Sequence, residues 1–235
     1  MEELTLIGKI AIFALPVIFA ITLHEAAHGY VARYFGDMTA AAQGRITLNP
    51  LKHIDPIGTV LVPLAILLTS KLLGGGMILF GWAKPVPVNF GNLRRPKQDM
   101  LWVAAAGPGM NFVMAVFWAL MIQLGHALGS SFASEPLMLM GAAGVFINVI
   151  LMALNLIPLP PLDGGRIAVS LLPARLAMQF SRLEPYGLFI LLGLLFTGVL
   201  GIILWPLISL FIGLIALVSG LEPAQLVGLI QVVLS

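Results

Sequence analysis

Long uncharged apolar stretches dominate this chain and set its elements. Residues 100–134, 136–162 and 185–221 contain no Asp, Glu, Lys or Arg. A helix needs about 20 apolar residues to cross a bilayer. The first two stretches each predict one crossing. The third is long enough for two, with Gly201 and Pro206 near its middle as the turn. Residues 10–23 are also uncharged and run on through His24, Glu25 and His28 to Tyr34, one helix with polar groups in its second half. Residues 57–70 predict another crossing. Residues 167–180 contain Pro173 and Arg175 and predict a segment lying partly in the interface. The pattern describes an all-α polytopic membrane protein of about six transmembrane helices, in one integral membrane domain over residues 1–235.

Composition excludes the main alternatives. The 235 residues are 60% hydrophobic and only 9% charged, with a mean hydropathy of +1.05. A soluble domain carries roughly a quarter charged residues, so a soluble enzyme and a disordered tail are both ruled out. The net charge of +2 comes from 12 basic and 10 acidic residues, too sparse for a nucleic-acid partner. Without cysteine there is no disulfide, thiolate nucleophile or Cys-based zinc site. A cleaved signal peptide is not expected, because Glu2 and Glu3 accompany Lys9 and the apolar run leads into ionisable residues.

The few bases predict orientation. Arg33, Arg45 and Lys52 form one group, Lys84, Arg94, Arg95 and Lys97 a second, and Arg166, Arg175 and Arg182 a third. Basic residues favour cytoplasmic loops, which puts these groups inside and the N-terminus outside. If residues 57–70 cross outward, the chain must return before Arg94. The returning segment, residues 74–89, opens on three glycines, carries Trp82, Pro85 and Pro87 and makes a poor helix. Val86 and Val88, flanked by prolines, read as extended backbone. Irregular backbone at membrane depth survives only inside protein or beside a wet cavity, so a re-entrant loop or short β-hairpin is expected here. Trp82, Trp102 and Trp205 suit interfacial anchoring.

Ionisable groups inside apolar spans are expensive, about 2.5–3.5 kcal/mol for an Asp at the helix centre, and usually mark function. His24-Glu25-Ala26-Ala27-His28 places two imidazoles at i and i+4 on one helix face, about 5–6 Å apart at Cβ. Both can reach one ion, and Glu25 is placed to act on water beside it. Catalytic zinc usually takes a third protein ligand. Asp163 is a candidate: it ends an uncharged run, behind Pro158, Pro160 and Pro161 and before Gly164 and Gly165. A broken helix beside a polar residue is how membrane proteins build sites. The charge pattern puts Asp163 at the depth of the two histidines. His53 reads as a loop residue and His126 falls on the opposite side, so neither is expected to bind metal.

These motifs resemble the site-2 proteases, the intramembrane zinc metalloproteases. Beyond H-E-x-x-H and Asn155…Pro158…Asp163-Gly164, the segments GRITLNPLKHIDP (44–56), GWAKPVPVN (81–89) and GPGMN (107–111) resemble the compact bacterial or archaeal branch in the same order. The resemblance covers most of residues 20–170. It implies a catalytic core over about 5–180, with helices over about 185–235 outside it. It implies one Zn2+ held by His24, His28 and Asp163, with Glu25 as general base. The substrate it implies is a transmembrane or membrane-anchored protein, cut near the cytoplasmic face of a prokaryotic plasma membrane. Residues 74–89 match the re-entrant β-hairpin that holds substrate, which makes Val86 and Val88 candidate substrate contacts. Asn155 and Asn111 are further candidates, for substrate backbone or for helix packing. Two rival readings stay open: a metal or proton transporter, and a catalytically silent protein that captures membrane helices.

Overall fold

The computed structural model describes residues 5–62, 65 and 81–234. α1 (Leu6–Tyr34) begins at Thr5, whose hydroxyl accepts from the Gly8 N–H. It ends at Phe35, and Gly36 then takes a φ of 110°, a value that favours glycine. The short α2 (Thr39–Ala42) follows. α3 (Pro96–Ala127) starts with a proline at its first turn, and Asp99 reaches back to accept from the Arg95 N–H at 2.7 Å. α4 is Ser134–Asn155, α5 Asp163–Leu171, α6 Ala174–Ser181, α7 Gly187–Phe196, α8 Val199–Ser219 and α9 Pro223–Leu234. Pro158, Pro160 and Pro161 keep the segment between α4 and α5 out of a helix.

Four helices are long and apolar enough to cross a membrane: Ile7–Tyr34, Pro96–Ala127, Ser134–Asn155 and Val199–Ser219. Large apolar side chains along them face outward, among them Ile202, Trp205 and Leu217, as lipid requires. The chain is therefore an all-helical, multi-pass membrane protein in its described part. Half of the expected crossing over residues 57–70 lies outside the described residues; its start falls in a π-helical turn, Pro56–Leu61. The first part of the segment over 74–89 also lies outside them. The stretch 81–89 forms neither helix nor β-strand.

One expectation about the third apolar stretch needs correcting. It holds one helix of membrane-crossing length, and the turn is not where the sequence suggests. The break falls at Gly198, with φ 75°, ahead of Gly201 and Pro206, and Pro206 sits inside α8. The 10 residues of α7 span about 15 Å at 1.5 Å per residue, half a bilayer. Residues 167–180 fall in α5 and α6, either side of Pro173.

α3 and α4 form the centre, α1 packs on both, α5 leans on α3, and α8 and α9 cover α4. The core joins Trp118, Ile122, Val145, Val149, Ile215 and Leu226. Small residues permit close packing, as in membrane helix pairs generally: Gly141 and Gly144 lie against Ile122 and the Trp118 ring. α1 ends, α3 begins, and α4 ends at the same side of the bundle, which is where the three basic groups gather.

Candidate metal centre

Three side chains meet at that side. His24 and His28 share a face of α1, one turn apart, and Asp163 is the first residue of α5. The two Nε2 atoms are 3.1 Å apart. Each lies 3.3 Å from Asp163 Oδ2. The rings are nearly perpendicular, at 81°, so the two Nε2 atoms converge. Both histidines are buried, and Asp163 Oδ2 is a buried atom without a hydrogen-bond partner. Bonds of 2.0–2.1 Å to a tetrahedral ion put neighbouring donors about 3.3–3.4 Å apart. The observed edges of 3.1, 3.3 and 3.3 Å fit such an ion, and two imidazoles with a carboxylate suit zinc in type.

The surroundings keep this space clear. α3 crosses at Gly107, where an added Cβ would overlap His28 Nε2 and stand 2.6 Å from His24 Nε2. A Cβ at Gly164 would overlap the Leu156 and Ile157 carbonyl oxygens. Glycine there lets α5 start against the end of α4, with its first residue turned toward α1.

The outer nitrogens of both imidazoles are bound. His28 Nδ1 is 2.7 Å from the Val103 carbonyl, and His24 Nδ1 is 2.5 Å from Asn111 Oδ1. Asn111 is fully buried, and its Nδ2 meets Asn148 Oδ1 and the Ala20 carbonyl. All its polar atoms are thus spent on the protein, so it supports an imidazole and offers nothing to a peptide. Asn155 bonds its own helix, donating to the Leu151 carbonyl at 3.0 Å, and is half-buried.

Glu25 stands between the histidines in sequence and is half-buried. Its Oε2 accepts from the Val86 N–H at 2.7 Å. Residues 81–89 therefore lie along α1 as a strap. The Val86 side chain is buried against Gly29, one turn beyond Glu25. Val88 packs on the cluster of Ala32, Leu93 and Val103. Both valine side chains point into the bundle, away from any peptide that could lie on the strap.

The strap is tied at both ends. Arg45 donates to the Lys84 and Pro85 carbonyls, and the Lys84 N–H donates to the His53 carbonyl. At the other end Asp37, fully buried, accepts from the Asn89 N–H at 2.7 Å and from Thr39 and Asn92. Burial would raise the Asp37 carboxyl, but the Thr39, Asn89 and Asn92 donors outweigh it and hold the group below the usual carboxylate range. Sequence reasoning missed Asp37 and Asn148. The first is an acid just past a span, and the second a lone amide inside an apolar helix, the same cost signal that marks His24 and Glu25. His53 is a buried loop residue bonded to the Thr47 carbonyl. His126 is at the far end of α3, roughly 28 Å from Gly107 at 1.5 Å per residue.

Comparison with known proteins decides the family. A protein of Bacillus subtilis (strain 168) named "Putative zinc metalloprotease YwhC" is 38% identical over 198 residues, 83% of this chain and 84% of the relative. The chain belongs to peptidase family M50. The family's own sequence model matches residues 120–198, which include Asn155 and Asp163. "Putative zinc metalloprotease Rip2" of Mycolicibacterium smegmatis is 28% identical over 200 residues, 85% of this chain and 72% of the relative. No solved structure matches the chain. The resemblance of the motifs to site-2 proteases agrees with this membership, and an M50 chain with four membrane-length helices is a membrane-embedded peptidase.

Proposed function

We propose that His24, His28 and Asp163 hold one zinc ion, that Glu25 is the general base beside it, and that the chain hydrolyses peptide bonds of transmembrane or membrane-anchored proteins near the cytoplasmic face. The observation that carries this reading is the triangle of donor atoms with edges of 3.1–3.3 Å, next to a carboxylate. When bound, zinc supplies a Lewis acid that brings water's pKa toward about 7 and polarises a scissile carbonyl. The Val86 N–H fixes Glu25 Oε2, which leaves Oε1 to take the proton of the attacking water. Glu25 then delivers that proton to the leaving amine nitrogen as the C–N bond breaks.

A substrate helix hides its carbonyls in i→i−4 bonds and must unwind to be cut. The strap over residues 81–89 is the surface offered to the unwound stretch; the Lys84, Val86 and Asn89 N–H groups are already bound within the protein, so a strand is added only through the strap's remaining backbone groups. Pro85 and Pro87 limit the donors it offers, which keeps unspecific pairing down. The whole chain forms one integral membrane domain, with α7 to α9 outside the catalytic core. The basic groups at the site's side support a cytoplasmic-facing site, in a chain that resides in a prokaryotic plasma membrane.

The test is purification of the full chain, measurement of bound metal and cleavage of a helical membrane substrate. Glu25→Gln is expected to retain zinc and lose activity by at least about 100-fold. A transporter would still move ions in liposomes when it carries this substitution, and a silent helix-binder would cut nothing even with Glu25 intact.

A further inference from the structure

The hydrogen bonds running back from His24 into the bundle have only one possible direction. The chain of constraints starts at the Gly144 carbonyl, which can only accept. Asn148 turns its amide nitrogen to that oxygen, at 2.8 Å. Asn148 Oδ1 is then left facing Asn111 as an acceptor. Asn111 must donate to it, and its Nδ2 stands 2.9 Å away, with the Ala20 carbonyl as a second acceptor at 3.4 Å. Asn111 Oδ1 is what remains, and it faces His24 Nδ1. The imidazole proton is therefore on Nδ1, and Nε2 presents a bare lone pair toward Asp163. Asn111 and Asn148 are both 0% exposed. No water reaches a flipped amide there, and a flip leaves buried polar atoms unpaired.

We infer that Asn148 is a positioning residue for the metal: acting through Asn111, it dictates the tautomer of His24 from two side chains away. The inference rests on the reading of His24 as a zinc ligand. His28 reaches the same state in one step, with its Nδ1 against the Val103 carbonyl of α3. For His24 the instruction passes from α4 through α3 to α1. Zinc affinity is thereby coupled to the register of α4 on α3, and a small slip between those helices switches off one ligand without touching it.

The test compares Asn148→Ala with Asn148→Ser in the full-length protein, by zinc competition against a chromophoric chelator. The two variants remove similar volume. Only serine keeps a hydroxyl that can donate to the i−4 carbonyl while accepting from Asn111. The relay predicts zinc affinity reduced about 10- to 100-fold in Asn148→Ala, the usual effect of losing an outer partner, and near wild type in Asn148→Ser. Asn111→Ala is expected to weaken zinc at least as much, and the double variant with Asn148→Ala no further, because the chain is already broken. Equal affinities in the Ala and Ser variants, or additive losses in the double, would overturn the relay.

A second readout needs neither metal nor turnover. In zinc-free wild-type protein, 15N-histidine NMR is expected to show His24 protonated on Nδ1. An unprotonated Nδ1 would refute the inference even if no variant folds. Retention of zinc by His24→Ala would instead defeat the metal-site reading on which the relay stands.

Discussion

Gly107 is where the proposed site is most sensitive to a single carbon. A methyl there occupies the space between the two Nε2 atoms, while α3 itself tolerates alanine better than glycine. Gly107→Ala is expected to reduce bound zinc by about 100-fold or more with the thermal transition unmoved or raised, read by metal analysis beside a melting curve. The Val86 N–H is the second such point. Val86→Pro removes the donor to Glu25 in a stretch already set by Pro85 and Pro87, so kcat is expected to fall by about tenfold or more with zinc content intact. Val86→Ala keeps the N–H and loses side-chain burial, a cost of about 1–2 kcal/mol, and is expected to lower stability more than kcat. The candidate metal donors are legible in the sequence because imidazoles and carboxylates in an apolar helix carry a cost that needs a reason. Gly107 is not legible in this sense, because an absent side chain costs nothing visible until the neighbouring helix is placed.

The strap shows how far an element can be read from sequence. The prolines foretell extended backbone over residues 84–89, and the structure forms neither helix nor strand there. What they cannot foretell is the side chains' direction, since alternation along a strand says which residues share a face but not which face is inward. Val86 and Val88 do share a face, and it is the one against Gly29 and Ala32 of α1. The break at Gly198 escapes the sequence for a related reason. Within an unrelieved apolar run no polar period marks a turn, and Gly201 and Pro206 are as plausible as Gly198. The strap's far anchor titrates. Asp37 has a lowered folded-state pKa, so its contribution is complete above about pH 5. It is withdrawn as pH falls below the unfolded value of ~3.9 and through the lower folded value. Protection of the Asn89 and Thr39 amides, taken relative to the intrinsic exchange rate at each pH, is expected to fall by about tenfold or more as Asp37 protonates in acid. Asp37→Asn should show that lower protection already at pH 7, with no further acid dependence, by mass spectrometry.

At the scale of the molecule, the bundle is polarised: basic groups and site at one end, His126 at the other. The absence of cysteine makes this testable with single introduced thiols. Lys97→Cys is expected to react with a membrane-impermeant maleimide only in inverted vesicles, and His126→Cys only in right-side-out ones. The opposite pattern would reverse the proposed orientation. Hydropathy alone does not tell the helices of the third apolar stretch apart, because a 10-residue helix such as α7 is as apolar as one of spanning length.

Asp163 lies beyond α3 and α4 in the chain, whereas His24 and His28 lie before them. During synthesis the two histidines enter the bilayer well ahead of the carboxylate that would complete their proposed set. A ribosome still making α4 carries a molecule with only part of its cutting centre, surrounded by other newly inserted helices in the translocon. The order of the elements thereby spares those neighbours until the enzyme itself is nearly finished.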